Sequence, residues 1–142
     1  MSAAKQRLYW RLQLAAHYLQ KMADRELQEK ANISTAQTGV LTVIANGTDV
    51  TQKQVADRLG LNESAVTAMV RKLIALEYVE RHRSEVDARA YVLTLTPQGQ
   101  HIQSTVRAPF GEINKRIESV LSPEEIDDMS ASLEKLTALF KD

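Results

Sequence analysis

Between Asn62 and Leu76, the residues Val66, Met69, Val70, Leu73 and Ile74 recur at helical spacing. That leaves Ser64, Thr67, Ala68, Arg71 and Lys72 on the other side of the same helix. Short hydroxyls and a methyl near a helix start, with two cations farther along, could work on the major groove of DNA. Hydroxyls bond base edges, a methyl fits thymine, and a guanidinium pairs with guanine O6 and N7. An ordinary solvated helix face has a similar composition, so this helix alone leaves both readings open. The second group is the polar run S-E-V-D-A-R at 84–89. An arginine at the end of a narrow β-arm suits the narrow, strongly negative minor groove of A·T-rich DNA, which makes Arg89 a candidate contact. Asp87 would oppose phosphate if it faced DNA, so it is expected to pair with an arginine and fix the tip. Lys53, Arg71, Lys72, Arg81 and Arg83 would hold the phosphate backbone, and Thr51 and Asn62, at two helix starts, complete the candidate DNA contacts.

The elements that must carry these groups follow from spacing and punctuation. Leu8, Leu12, Ala15, Leu19, Met22 and Leu27 predict one long helix, about residues 4–30, free of Gly and Pro. Ser34 with Gln37 and Thr51 with Gln54 form capping boxes that start the next two helices. The first carries Val40, Leu41 and Ile44 and stops at Asn46-Gly47; the second carries Val55, Ala56 and Leu59 and stops at Gly60. Asn62 then caps the helix described above, giving two short helices joined by a tight Gly-containing turn, a helix-turn-helix. After Leu76 the period changes to two: Val79, Arg81 and Arg83, then Tyr91, Leu93 and Leu95, predict a β-hairpin with S-E-V-D-A-R at its tip. Thr96-Pro97 opens a helix expected to reach about Leu121, kinked or interrupted by Pro109 and Gly111. Ser122-Pro123-Glu124-Glu125 starts the last helix.

The final helix carries Ile126, Met129, Leu133, Leu136 and Phe140 at 3-4 spacing, as a helix–helix seam requires. The N-terminal helix would run about 40 Å, longer than a small central lobe is wide. A homodimer is therefore expected, joined through Leu8, Leu12 and Leu19 and through the C-terminal stripe; the alternative, strongest for the stripe on 123–141, is that the terminal helices only cover the central core. The fold class is mainly α with a small β-wing: a winged helix-turn-helix flanked by N- and C-terminal dimerisation helices. The whole chain, 1–142, forms one such domain, with 1–32 and 97–142 as the helical dimerisation region and 34–96 as the winged lobe.

Composition narrows the function classes. The 142 residues hold 18 Lys+Arg, 18 Asp+Glu and no Cys, which excludes disulfides, thiolate nucleophiles and Cys-ligated zinc. No apolar run is long enough to span a membrane. The basic N-terminus is interrupted by Arg11 and Gln13, unlike a signal peptide, so a cytoplasmic location is expected. Charge is unevenly spread: residues 51–91 carry seven basic and six acidic groups, and residues 112–142 carry four and eight. A neutral total therefore does not exclude a nucleic acid partner, although it limits non-specific attraction.

The run V-T-Q-K-Q-V-A-D-R-L-G-L-N-E-S-A-V-T-A-M-V-R-K-L, followed by Y-V-E-R-H-R-S-E-V-D-A-R-A-Y-V-L-T-L-T-P-Q-G, resembles the multiple-antibiotic-resistance regulator (MarR) family. D-A-R at 87–89 and L-T-P-Q-G at 95–99 are the most specific parts, and the flanking helices follow the family's order. The resemblance implies a winged-helix homodimer on a pseudo-palindromic, double-stranded operator, usually a repressor released by a small, in some relatives aromatic, ligand. It also implies that 63–76 is the recognition helix, Arg89 the minor-groove residue and Asp87 its positioning partner. Where the family often has Gly, this chain has Glu77. Glutamate enters the left-handed conformation at a cost, so the wing is expected to leave the helix at a different angle.

His17, His82 and His101 lie on separate elements without metal-ligand spacing, so no metal site and no cofactor is expected. Trp10, Leu14 and His17 share roughly one side of the first helix and could line an effector pocket, although aromatic residues at this spacing more often pack in a dimer core. No glycine loop for phosphate and no nucleophile elbow is present, so an enzyme is not expected. The alternative to DNA binding is a winged-helix protein-interaction module using the same face.

Overall fold

Side-chain oxygens set the helix starts. Ser34, Thr51 and Ser122 each accept the backbone N–H three residues on, and Gln37, Gln54 and Glu125 return the bond, so all three capping boxes are formed. Asn62 and Thr96 cap singly, and Pro97 stands in the first turn after Thr96. The computed structural model describes residues 7–141; the predicted helix start at residue 4 lies outside the described residues. In chain order the elements are α1 (Leu8–Ala31), α2 (Thr35–Asn46), α3 (Gln52–Leu59), α4 (Glu63–Ala75), β1 (Val79–Arg83), β2 (Tyr91–Leu95), α5 (Pro97–Thr105), α6 (Arg107–Glu118) and α7 (Pro123–Phe140). The chain divides after Arg107 into two compact units, a division that falls inside the 97–142 segment.

The first unit is a winged helix-turn-helix built around α2. This helix touches α1, α3, α4, β2 and α5, and its Val40, Leu41 and Ile44 are buried, with Gln37 and Thr38 beside them. Leu27 and Ile33 from the α1 end, Val55 from α3, and Val66, Val70 and Leu73 from α4 complete this core. The hairpin is antiparallel with Val79 opposite Leu95 and Arg83 opposite Tyr91. Val50 joins it as an isolated bridge, the Leu93 N–H donating to the Val50 carbonyl at 2.7 Å. Asp24 ties α1 to the start of α2, accepting from the Thr35 backbone N–H at 2.6 Å and from the Thr35 hydroxyl.

On α1 only Ala23, Leu27 and Ala31 are buried, so Leu8 and Leu19, expected at a seam, are not core of this chain. The helix after Thr96 is interrupted, as expected, but ahead of Pro109 and not at it: it stops at Thr105 and α6 begins at Arg107. Proline lacks the N–H that would bond the Thr105 carbonyl, and its ring crowds that carbonyl. Breaking one turn earlier leaves Pro109 in the first turn of a new helix, where neither defect matters. One expectation needs correction: Glu77 does take the left-handed conformation, with φ +64°. Its N–H donates to Ile74 O at 2.9 Å and the Tyr78 N–H to Leu73 O at 2.9 Å, the bond pair of a Schellman motif. The Thr96 hydroxyl also donates to Glu77 O. These bonds hold a conformation that glutamate alone disfavours.

The second unit holds α6 beyond Ala108 and α7, with Ser119, Val120 and Leu121 turning between them through bonds to the last carbonyls of α6. No residue of α7 is buried within the chain.

Gly99 is buried, and a Cβ there would stand 1.9 Å from the Tyr78 carbonyl oxygen, a backbone atom with no room to move. Gly99→Ala is expected to lower stability by about 1–3 kcal/mol, read as a reduced urea midpoint with an unchanged m-value. Glu77→Gly is expected to raise stability by about 0.5–1 kcal/mol, the relief of left-handed strain less the entropy of a freer unfolded chain; a lower midpoint would contradict this.

Candidate nucleic-acid interface

Helix α4 advances about 100° per residue. With Val66, Val70 and Leu73 buried, Ser64, Ala68, Arg71 and Ala75 fall on the outward side of the helix. Ser64 and Arg71 are exposed there. Lys72 is on the flank. Arg71 and Lys72, like Lys53 on α3, make no ion pair among the described residues, so their charges face solvent.

The structure gives other named residues a local role. Asn62 Oδ1 accepts from the Ala65 N–H and from the Ser64 hydroxyl, both at 2.8 Å. Thr51 Oγ1 accepts from the Gln54 N–H at 3.2 Å. Thr67 is half-buried; its hydroxyl donates to Glu63 O at 2.9 Å and accepts from Gln52 Nε2 at 3.1 Å. Thr67 thus joins α3 to α4. Sequence reasoning missed Gln52, because a bond between two helix surfaces leaves no periodic signal.

The wing tip is a closed set of turns. Ser84 Oγ accepts from the Val86 and Asp87 N–H groups at 3.2 Å, and Ala90 N–H donates to Asp87 O at 3.0 Å. Asp87 Oδ1 accepts the Arg89 backbone N–H at 3.0 Å and lies 3.8 Å from Arg89 Nε. The Arg89 side chain is 96% exposed, the Asp87 side chain 58%. On the strands, the guanidinium carbons of Arg81 and Arg83 stand 5.4 and 5.5 Å from the centre of the Tyr91 ring. Arg83 Nη1 also donates to Ala88 O at 2.9 Å. His82 Nε2 lies 3.4 Å from a Glu80 oxygen and 3.1 Å from Thr94 Oγ1.

The wing is tied to α4 at its base. The Thr96 N–H donates to Tyr78 O at 3.1 Å, and Thr96 Oγ1 accepts from Gly99 N at 2.9 Å while donating to Glu77 O. One threonine thereby fixes the α4 exit, the end of β2 and the start of α5.

The candidate seam and pocket residues lie on open surface. Leu8 and Leu19 on α1, and Met129, Leu133 and Phe140 on α7, are exposed; Leu12, Ile126 and Leu136 are half-buried. Trp10 is 69% exposed, edge-on to Tyr9 at 4.9 Å, and Leu14 and His17 are exposed too. Among the described residues, open grooves mark the first unit, including one of about 540 Å³ between the ends of α2, β2 and α5, which Trp10, Leu14 and His17 do not line. Among the described residues no group of three His, Cys, Asp or Glu could hold a metal ion, and no helix is long and apolar enough to cross a membrane.

Comparison with known proteins places this geometry. Residues 31–90 match the family described as "MarR family". The chain is similar to the HTH-type transcriptional regulator MgrA of Staphylococcus aureus, 25% identical over 138 residues, covering 96% of this chain and 91% of that protein. Among solved structures it is similar to Streptococcus pneumoniae FabT in complex with DNA, 28% identical with a TM-score of 0.82, covering 97% of this chain and 98% of that one. The DNA complex of Sco3205 from Streptomyces coelicolor has the same fold, with a TM-score of 0.88 at 20% identity, covering 100% of this chain and 91% of that one.

Replacing Asn62 with Ala should cost about 1 kcal/mol of unfolding free energy, the usual loss of an N-cap, measured by urea denaturation. An unchanged midpoint would show that the bonds to Ala65 and Ser64 contribute nothing.

Proposed function

This chain belongs to the MarR family, and we propose that it is a sequence-specific DNA-binding transcriptional regulator acting as a homodimer. The observations that carry this reading are the outward side of α4, with Ser64, Ala68 and Arg71, and a wing tip that presents an almost fully exposed Arg89, on elements tied together at Thr96. Ser64, Ala68 and Arg71 reach base edges in the major groove, and Arg89 enters the flanking minor groove from the Asp87 turn. Lys53, Lys72 and Arg81 hold phosphates. Thr51, Asn62 and Thr67, their side chains engaged in caps and the Gln52 bond, set the geometry of the reading helix. MgrA is a transcriptional regulator by name, and FabT was solved on DNA; both support the same role here. The chain is a regulator and not an enzyme.

The exposed apolar residues of α1 and α7 fit a dimer seam, Trp10 and Leu14 included, and two recognition helices so joined would meet half-sites about one turn apart. The role is that of a repressor on a pseudo-palindromic operator in the cytoplasm. A small ligand would release it by preferring one spacing of the two recognition helices. The protein-interaction alternative draws on Val86, 89% exposed at the wing tip, and on the near-neutral winged lobe.

Selection of bound duplexes from random DNA should recover a two-fold-related sequence. Affinity for it should fall steeply with salt through counterion release, whereas a mixed-charge protein contact would not show that slope. Arg89→Ala should weaken this duplex by about 1–3 kcal/mol in an anisotropy titration at fixed salt. Light scattering should give twice the chain mass of 15.9 kDa; removal of residues 123–142 should give monomers, and a persisting dimer would take those residues out of the seam.

A further inference from the structure

Arginines on a wing strand are naturally assigned to phosphate. The structure assigns Arg83 to a different role, that of a positioning residue that holds the tip carrying Arg89 and acts on DNA through that residue. This role rests on the DNA-binding reading proposed above.

Arg83 is the last residue of β1 and pairs in register with Tyr91, the first residue of β2. Its guanidinium carbon stands 5.5 Å from the centre of the Tyr91 ring, and its Nη1 reaches past the strand end to donate to Ala88 O at 2.9 Å. Ala88 lies between Asp87 and Arg89, inside the turn closed by the Ala90-to-Asp87 and Arg89-to-Asp87 bonds. The same side chain therefore touches the first paired residue of β2 and the middle of the tip. A planar group with donors on its edge can cover an aromatic ring and bond a carbonyl at once; an ammonium cannot do both in the same way. Arg81 makes only the first of these contacts, at 5.4 Å from the same ring centre, which leaves its donors for DNA. Without Arg83, the tip keeps the bonds made by Ser84 and Asp87, including Ser84 N–H to Ala90 O at 2.9 Å across the strand ends, but loses the side-chain bond that reaches from β1 to Ala88 in its middle. The Arg89 side chain, 96% exposed, has only its 3.8 Å approach to Asp87 to aim it.

The test uses the full-length chain and the duplex recovered by selection. In the wild type, Arg89→Ala should weaken binding about fivefold to 150-fold. On an Arg83→Ala background the same change should cost less than about twofold, because the tip is already unaimed. Arg83→Lys, which keeps the charge, should bind like Arg83→Ala. In the free protein, ¹⁵N order parameters of residues 86–90 should fall below about 0.6 in Arg83→Ala while α4 stays rigid. Additive losses from Arg83 and Arg89, rescue by lysine, or an unchanged tip would each overturn the proposal and return Arg83 to phosphate. If the wild type selects no sequence, the DNA-binding reading fails, and the order parameters alone decide whether Arg83 holds the tip.

Discussion

Everything placed at the proposed interface depends on one close approach of backbone to backbone. The α5 chain passes Tyr78 so closely that only Gly99 fits, and Thr96 uses the same space for three bonds, to Tyr78, Glu77 and Gly99. Helix α4 ends there, the wing returns there, and α5 starts there. A helix and a hairpin joined by a single flexible loop would sample many relative angles; here a buried threonine bonds both and a glycine without a Cβ lets α5 close against them. Glu77 belongs to the same junction. Its left-handed backbone is disfavoured, yet two Schellman bonds and the Thr96 hydroxyl hold it, so local preference yields to the bonds around it.

Much of this architecture could be read from the residues, for a physical reason. Capping boxes, N-caps, a left-handed Gly60 and a change of period from 3.6 to 2 are local signals. The structure forms each of them: Ser34, Thr51, Asn62, Thr96 and Ser122 cap as read, and the hairpin runs over the expected strands. What failed to show depends on contacts between elements or on competition between neighbours. The Gln52–Thr67 bond crosses two helices, and the Arg83–Ala88 bond crosses a turn. The break before α6 comes one turn ahead of the proline that causes it, because the clash falls on the carbonyl four residues back. For the candidate site, residue types nominated the groups, and bonding partners distinguish those engaged within the protein from those that are not. Thr67 and Asn62 have their hydrogen-bonding capacity engaged by the protein, whereas Arg71 and Arg89 extend into solvent.

Charge then constrains how such a surface works. Residues 51–91 hold only one more basic than acidic group, so general attraction to a polyanion is weak. Binding energy must come from a few groups held in place, and that puts the cost on positioning: the caps of α3 and α4, the Thr96 junction and the ordered wing tip. Exposed apolar side chains on α1 and α7 fit the proposed seam, by which two such weakly attracted lobes would act together.

Helix and wing are proposed to engage one duplex simultaneously, through grooves of different kinds. Methylation interference on the selected duplex tests this most directly, since it reports guanine N7 in the major groove and adenine N3 in the minor groove in one experiment. Two patches of N7 interference about one helical turn apart are expected, each flanked outward by N3 interference that disappears in Arg89→Ala. Interference confined to the major groove, or N3 sites indifferent to Arg89, would contradict simultaneous engagement.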